Sequence, residues 1–189
     1  YYVDQYKHGG RFPFAQGGLE IAGEQAANVG AAVAAAQQAY NETPFIEVEF
    51  HPTEVPKDIM LRQSMAESSL RDDVVSDAGA VGLTQIMPAT LTDYIRATGH
   101  EDVDVYDWVD AMKVQNWLMN DLYNADWIDK PDQSDKVRMA KTLAAYNWGR
   151  TAFNEFLNKK KNDGVDIYND DMAWIEDLPD ETREYLDKI

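Results

Sequence analysis

Apolar side chains recur at helical spacing through most of the chain after residue 53. The segment 106–127 shows this most clearly, because its apolar residues return at intervals of about one helical turn. They are Trp108, Ala111, Met112, Leu118, Leu122 and Ala125. The sequence contains neither long runs with the alternating period of a β-strand nor internal repeats. The pattern therefore predicts an all-α domain over residues 54–189.

Helix start and stop signals divide this domain into separate helices. Thr53 is a capping residue for a first helix that runs to about Leu70, with Pro56 in its first turn. Pro88 opens a second helix, which Gly99 ends. The further predicted helices cover 106–127, 134–146, 150–160 and 181–189.

The first predicted helix has an irregular apolar face. Its predicted buried stripe is Val55, Ile59, Ala66 and Leu70, with Leu61 and Met65 beside it. A loop that contains two glycines follows, from residue 71 to residue 82. We expect this loop to connect the first helix to the second.

The first 53 residues differ in composition from the rest. Residues 1–19 are rich in glycine and aromatic side chains without a clear period, and residues 20–40 are Ala-rich with few large apolar residues. The second segment favours a helix but cannot bury much surface alone. Residues 43–53 alternate and predict a short strand or an extended lead-in. We interpret residues 1–53 as an N-terminal arm, which is either a partly ordered linker or a segment that packs on the domain or on a partner.

The charge balance excludes several function classes. The chain of 189 residues has 34 acidic and 17 basic side chains, a formal net charge of −17. Nucleic-acid binding requires clustered basic residues, so it is not expected here, nor is attachment to anionic lipid. The absence of cysteine excludes disulfides and thiolate metal sites. No signal peptide is visible, and the longest uncharged stretch, 17 residues, is too short and too polar for a membrane span.

Glu67 is a candidate general acid because of its place near the end of the first predicted helix. The helix dipole opposes a negative charge at that end, and both the dipole and burial raise the pKa of a carboxyl group. A carboxyl that stays protonated near neutral pH can act as a general acid. On position alone, however, a glutamate near a helix end is more often solvated surface.

Two further segments carry polar groups suited to a sugar ligand. In residues 76–88, Gly79 and Gly82 permit tight turns, and Gln85 supplies an amide that can recognise an N-acetyl group. In residues 144–149, Tyr146 and Asn147 supply an aromatic face and a second amide. Each segment also has a structural interpretation, the first as a connecting loop and the second as a capped helix end.

Four blocks, taken in order, resemble the lytic transglycosylase domain of the soluble (SLT) type. They are Glu67-Ser68, the segment 79–88 (GAVGLTQIMP), the segment 145–149 (AYNWG) and the segment 178–185 (LPDETREY). The resemblance covers about residues 54–189. It implies a lysozyme-like, all-α fold, as in goose-type lysozymes, with a cleft for the glycan strands of peptidoglycan.

Carried over residue by residue, the resemblance implies a single catalytic acid/base, Glu67. The substrate-binding residues that it implies are Ser68, Ser76, Gln85, Tyr146, Asn147 and Tyr185. Ser68 helps to hold the geometry of the site. The reaction implied is the cleavage of the MurNAc-β-1,4-GlcNAc bond without water, giving 1,6-anhydroMurNAc ends. Neither a metal ion nor a cofactor is implied.

The sequence departs from the family pattern at three positions near these blocks. Thr84 stands where Met is frequent, Asp77 stands where Pro is frequent, and Trp148 stands where a small residue is usual. An indole at position 148 is expected to narrow a sugar subsite or to add a stacking surface.

Two alternatives stay open at this point. A goose-type lysozyme hydrolyses the same bond with water and a second carboxylate, for which Asp72, Asp73 and Asp77 are candidates. The second alternative is a structural protein of a phage virion or of a secretion machine. In that case the N-terminal arm is the element that contacts larger assembly proteins. In each case we expect the chain to act in the periplasm or at the cell wall, carried in a phage virion or secreted.

Overall fold

The computed structural model of the chain describes residues 55–128 and 130–189. The predicted arm over residues 1–53 lies outside the described residues. So do the Ala-rich helix and the short strand predicted within that arm, and the capping role of Thr53.

Six α-helices and one 3-10 helix form the described part of the chain. They are α1 (Lys57–Ser68), α2 (Pro88–Thr98), α3 (Trp108–Tyr123), α4 (Asp135–Trp148), α5 (Arg150–Asn162), the 3-10 helix Ala173–Asp177, and α6 (Asp180–Lys188). Between residues 55 and 189, residue 129 apart, extended pairing is limited to the isolated bridges Val75–Val81 and Val81–Ile86. The prediction of an all-α domain is confirmed.

The capping signals place most helix ends close to where they were predicted. Ser134 precedes α4, and its hydroxyl oxygen accepts a hydrogen bond from the Val137 amide. Gly99 ends α2 in the left-handed conformation, with its N–H bonded to the Ile95 carbonyl. Pro56 precedes α1 at the N-cap position rather than lying in its first turn. The helix predicted over 106–127 is shorter at both ends.

The buried face of α1 differs from the predicted apolar stripe. The buried residues of this helix are Met60, Leu61, Gln63, Ser64 and Ser68. Ile59 and Ala66, which the stripe included, are only partly buried. The prediction failed at these positions because it assumed that buried positions are apolar, whereas three of the five are polar.

The chain divides into two compact units after Trp117. In the first unit, the side chain of Leu70 packs with Leu61, Leu83 and Trp108 in an apolar core that the start of α3 completes. This core lies beneath the end of α1 and the loop that follows it.

In the second unit, α4 packs against both α5 and α6. The core there is centred on Phe153 and Trp174, which are fully buried. Lys141, on α4, is also fully buried, which no apolar pattern indicates.

Candidate active site

Glu67 is the last residue but one of α1 and is partly buried. Ser69 ends the helix in the left-handed conformation, with its N–H bonded to the Met65 carbonyl at 2.9 Å. The expected position of Glu67 at the C-terminal end of a helix is therefore confirmed. A carboxylate there lies where the helix dipole is unfavourable to negative charge.

Ser68 connects the end of α1 to the loop that carries Gln85. Its buried hydroxyl donates to the Leu83 carbonyl at 2.7 Å and lies 3.2 Å from the Ser64 carbonyl. The same oxygen accepts a hydrogen bond from the Arg71 amide at 3.1 Å. These bonds use both the donor and an acceptor position of the hydroxyl within the protein.

The backbone directly after this serine is strained. Ser69 and Leu70 both have positive φ, 56° and 61°, which residues other than glycine rarely adopt. Each such residue costs about 1–3 kcal/mol and persists only where its surroundings hold it in place. The burial of the Leu70 side chain in the core supplies that restraint.

The loop from residue 71 to residue 87 is built around two glycines with positive φ. Gly79 has φ 85° and open space where a Cβ would lie, so only its backbone conformation requires glycine. Gly82 has φ 76°, and a Cβ there would overlap the Val105 carbonyl oxygen. Gly82 therefore lets the segment before α3 approach the loop closely.

Gln85 is held by the loop that it belongs to. Its φ is 49°, and its side-chain Nε2 donates to the Val74 carbonyl at 3.2 Å and to the Gly82 carbonyl at 2.9 Å. Because both partners are carbonyl oxygens, the atom facing them is the amide nitrogen. Both donors are thus used, and the side-chain oxygen of Gln85 is left as an acceptor.

Ser76 closes the tight turn at the start of the same loop. Its Oγ accepts a hydrogen bond from the Ala80 amide at 3.0 Å, and its own amide donates to the Ala80 carbonyl at 2.9 Å. The side chain is partly buried. The hydroxyl hydrogen is not used in these bonds.

The remaining predicted site residues belong to the second unit. Tyr146 and Asn147 are partly buried near the end of α4, and the Tyr146 ring packs against the core of that unit. Tyr185 is buried on α6, a helix that packs against α4. Within the first unit, Ser76 and Gln85 lie in one loop, and Ser68, at the end of the helix of Glu67, is hydrogen-bonded to that loop.

The indole of Trp148 packs inside the second unit. Its ring centroid lies 5.5 Å from that of Phe156 and 6.5 Å from that of Phe153. This packing explains how a bulky residue fits where a small one was expected. α5 supplies these neighbours and the ring stays partly buried, so the role of the indole in narrowing a subsite or adding a stacking surface stays a prediction.

Acidic residues that follow Glu67 differ in burial. Asp72 is buried, whereas Asp73 and Asp77 are exposed, and Asp73 lies 3.7 Å from the Arg71 guanidinium. In the acidic segment before α3, Asp107 caps that helix by accepting hydrogen bonds from the Val109 and Asp110 amides.

A comparison with protein-family models matches residues 50–169 to the Transglycosylase SLT domain. This chain belongs to that family. The SLT domain is a lytic transglycosylase domain with a lysozyme-like all-α fold, and it acts on the peptidoglycan of the cell wall. A comparison with curated proteins found no match.

The matched part of this SLT domain contains Glu67 and the residues proposed around it up to Asn147, and it ends before Tyr185. None of the helices in the described ranges combines the length and the apolar character that crossing a membrane requires. The feature of the site that the sequence did not reveal is the buried polar face of α1, one turn before Glu67. The only sequence signal for it is the low apolar content of that helix.

Proposed function

We propose that this SLT domain cleaves the MurNAc-β-1,4-GlcNAc bond without water and leaves 1,6-anhydroMurNAc ends, with Glu67 as the single acid/base. The observation that carries the proposal is the hydrogen bond between the Ser68 hydroxyl and the Leu83 carbonyl. It couples the helix end that presents Glu67 to the turn that contains Gln85. A proton-transfer group and an amide suited to an N-acetyl sugar are thereby held by one rigid connection.

The reaction begins with proton transfer from Glu67 to the glycosidic oxygen. The bond from the muramic C1 to that oxygen breaks, and the N-acetyl oxygen of the same sugar stabilises the positive charge at C1. The Glu67 carboxylate then removes the proton from the C6 hydroxyl, whose oxygen attacks C1. Glu67 regains its proton and no water is consumed, so one carboxyl group serves as acid and then as base.

Gln85 and Ser76 serve as substrate-binding residues of the first unit. Because the amide donors of Gln85 are used by backbone carbonyls, its side-chain oxygen acts as an acceptor for a sugar N–H or hydroxyl. Ser76 contributes its hydroxyl hydrogen to an acceptor on the muramic residue. Ser68 acts on the substrate indirectly, by holding the turn.

The second unit contributes Tyr146, Asn147 and Tyr185. The position of the first two at the end of α4, both partly buried, supports a role in sugar binding through a ring and an amide. Tyr185, buried on the neighbouring helix, is assigned to substrate binding. The reaction as proposed uses neither a metal ion nor a cofactor.

Mass spectrometry of the soluble products from purified peptidoglycan tests this proposal. We expect muropeptides that are lighter than the reducing forms by one water, and we expect Glu67→Gln to release none. Activity retained by Glu67→Gln would overturn the role of Glu67. Products with hydrated reducing ends would instead identify a goose-type hydrolase.

The hydrolase alternative has one supporting observation, the burial of Asp72 five residues after Glu67. A buried carboxylate near a catalytic acid is a candidate for the second group that water activation requires. Under the transglycosylase proposal, Asp72→Asn changes the amount of product but not its anhydro ends. Hydrated ends that disappear in Asp72→Asn would favour the hydrolase.

We further propose that residues 1–53 attach the domain to a larger assembly, such as a phage virion or a secretion machine. The Ala-, Gly- and Gln-rich composition of this segment supports an assembly role over a catalytic one. Size-exclusion chromatography tests it. An oligomer that disperses when residues 1–50 are removed is expected, and a monomer with or without them would contradict the proposal.

A further inference from the structure

The helix that carries Glu67 has a fully buried amide side chain one turn earlier. Gln63 shows no exposed surface, and its Oε1 accepts a hydrogen bond from the Gln115 Nε2 at 2.9 Å. The same nitrogen of Gln115 donates to the Met60 carbonyl at 3.0 Å. The Met60 carbonyl can only accept, so the Gln115 atom that faces it is the amide nitrogen. The Gln63 atom that faces this nitrogen must also accept, so it is Oε1.

The Nε2 of Gln63 therefore faces away from Gln115. It is buried and has no hydrogen-bond partner among the residues that the structure describes. Buried amide donors almost always have an acceptor, and one that lacks an acceptor is costly. The group is consequently available to any acceptor that moves within reach.

Helix geometry makes Glu67 the expected acceptor. Residues 63 and 67 are one turn apart on the same face of α1, and helical side chains lean towards the N-terminus. We therefore expect the Glu67 side chain to lie over the turn that contains Gln63 and Ser64. The hydroxyl of Ser64 is directed at the Met60 carbonyl and the Gln115 Oε1, at 3.1 and 3.4 Å. In that turn, the Nε2 group of Gln63 is the buried side-chain donor without an acceptor among the described residues.

We propose that Gln63 is a positioning residue for Glu67, donating a hydrogen bond from Nε2 to one carboxyl oxygen of Glu67 in the enzyme–substrate complex. The inference rests on the proposed role of Glu67 as acid/base. Catalytic hydrogen bonds that are long or misaligned without substrate commonly tighten in the complex. Gln115 orients the amide of Gln63 for this task through its bond to Oε1.

This contact determines which oxygen of Glu67 carries the proton. The oxygen that accepts from Gln63 stays unprotonated throughout, so the proton resides on the other oxygen. That oxygen protonates the leaving group and later takes the proton from the C6 hydroxyl. The hydrogen bond changes the orientation of the carboxyl group and leaves the balance of the reaction unaltered.

The test compares Gln63→Met with Ser64→Ala in peptidoglycan cleavage. Methionine keeps the volume of Gln63 and removes the donor, whereas Ser64→Ala removes a buried polar group of the same network without changing that donor. We expect Gln63→Met to lower kcat about tenfold with KM nearly unchanged. We expect Ser64→Ala to keep kcat after correction for its folded fraction.

The pH profile separates positioning from a structural role. A donor to a carboxylate favours its charged form, so losing the donor raises the pKa of Glu67. Because the contact is proposed for the enzyme–substrate complex, the pH profile of kcat reports it; its basic limb should move to higher pH by about one unit in Gln63→Met and stay in place in Ser64→Ala. The charged neighbours along the chain, Arg62, Arg71 and Asp72, are the same in every variant, so their effects cancel.

An unmoved basic limb together with a kcat lost only in proportion to the unfolded fraction would overturn the proposal. If Gln63→Met does not fold, NMR of the unsubstituted protein with a β-1,4-linked N-acetylglucosamine oligomer decides. The side-chain amide signals of Gln63 should then follow the ionisation of Glu67, and signals that do not respond would refute the contact. Activity of Glu67→Gln tests the proposed function separately.

Discussion

The hydroxyl of Ser68 donates a 2.7 Å hydrogen bond to the backbone carbonyl of Leu83, fifteen residues further along the chain. The bond is buried and joins the end of α1 to the Gly82–Gln85 turn. Because Glu67 precedes Ser68 directly, the position of the carboxyl group depends on the position of that turn.

Ser68→Ala should therefore affect stability and activity together. The variant leaves the Leu83 carbonyl and the Arg71 amide without a buried partner, which costs about 1–3 kcal/mol of unfolding free energy. Urea unfolding and the rate of peptidoglycan cleavage measure the two effects. Thr92→Ala, which removes an exposed hydroxyl bonded to the Pro88 carbonyl, is the control and should change neither. A Ser68→Ala protein with unaltered stability would show that the bond contributes nothing.

The two glycines of the loop should respond differently to alanine. Gly82→Ala combines a positive φ with overlap of the Val105 carbonyl oxygen, and we expect a loss of about 3 kcal/mol. Gly79→Ala has the same backbone strain but open space, so about 1 kcal/mol is expected. Chemical unfolding of both variants measures the difference. Equal losses would mean that the close approach of Val105 is relieved at no cost.

Gln85 should tolerate methionine better than glutamate. In Gln85→Glu a carboxylate oxygen replaces the amide nitrogen that faces the Val74 and Gly82 carbonyls, so two hydrogen bonds become repulsive contacts. Gln85→Met loses the bonds without the repulsion. At neutral pH, thermal unfolding should give a lower melting temperature for Gln85→Glu than for Gln85→Met, and this difference is the gap between the variants. The gap should narrow as the pH falls through the range in which glutamate becomes protonated, since a carboxylic acid can donate. A gap that does not change with pH would argue against this arrangement.

Most helix bounds were predictable because they depend on local signals. Pro88, Gly99 and Ser134 act through their own backbone or side chain on the adjacent turn, so the residues alone indicate where a helix begins or ends. The buried face of α1 was not predictable. Gln63 is buried because Gln115, 52 residues away, supplies its hydrogen-bond partner, and no local pattern contains that information.

The same contrast applies to the candidate site. Glu67 at a helix end and the two glycines of the loop follow from short-range rules, and the structure has both. The direction of the Trp148 indole depends on Phe153 and Phe156, whose packing on it is a tertiary property. Side-chain direction therefore marks the limit of what the sequence alone predicted here.

Trp148 should act through stability rather than through substrate affinity. Trp148→Ala removes the contacts with Phe153 and Phe156 and should lower the unfolding free energy by about 2 kcal/mol. This loss is smaller than that for truncating a fully buried tryptophan, because the Trp148 ring is only partly buried. Trp148→Phe keeps an aromatic ring and should cost less. Unfolding and the KM for peptidoglycan are the measurements. A raised KM in Trp148→Phe, at unchanged stability, would assign the indole to the substrate after all.

Lys141 should make the stability of the domain depend on pH. The side chain is fully buried, its Nζ lies 2.8 Å from the Gln133 Oε1 and 4.4 Å from the centre of the Tyr168 ring. Burial lowers the pKa of the ammonium group from 10.5 to about 8, and the nearby Asp166 carboxylate opposes that shift. Below about pH 8 the group is charged in both the folded and the unfolded chain, so the cost of burying the charge is present in full. Between about 8 and 10.5 the folded state releases the proton first, the unfolded state binds more protons, and stability rises with pH.

The comparison of Lys141→Met with the unsubstituted protein isolates this effect. From about pH 7 to about pH 9.5, the unfolding free energy of the unsubstituted protein should rise by about 2 kcal/mol relative to that of Lys141→Met. Urea unfolding at several pH values measures it. Lys136→Met, which replaces an exposed lysine on the same helix, should leave the pH dependence as it is. A pH dependence equal in Lys141→Met and the unsubstituted protein would show that the buried lysine remains charged to the same extent in the folded and unfolded states.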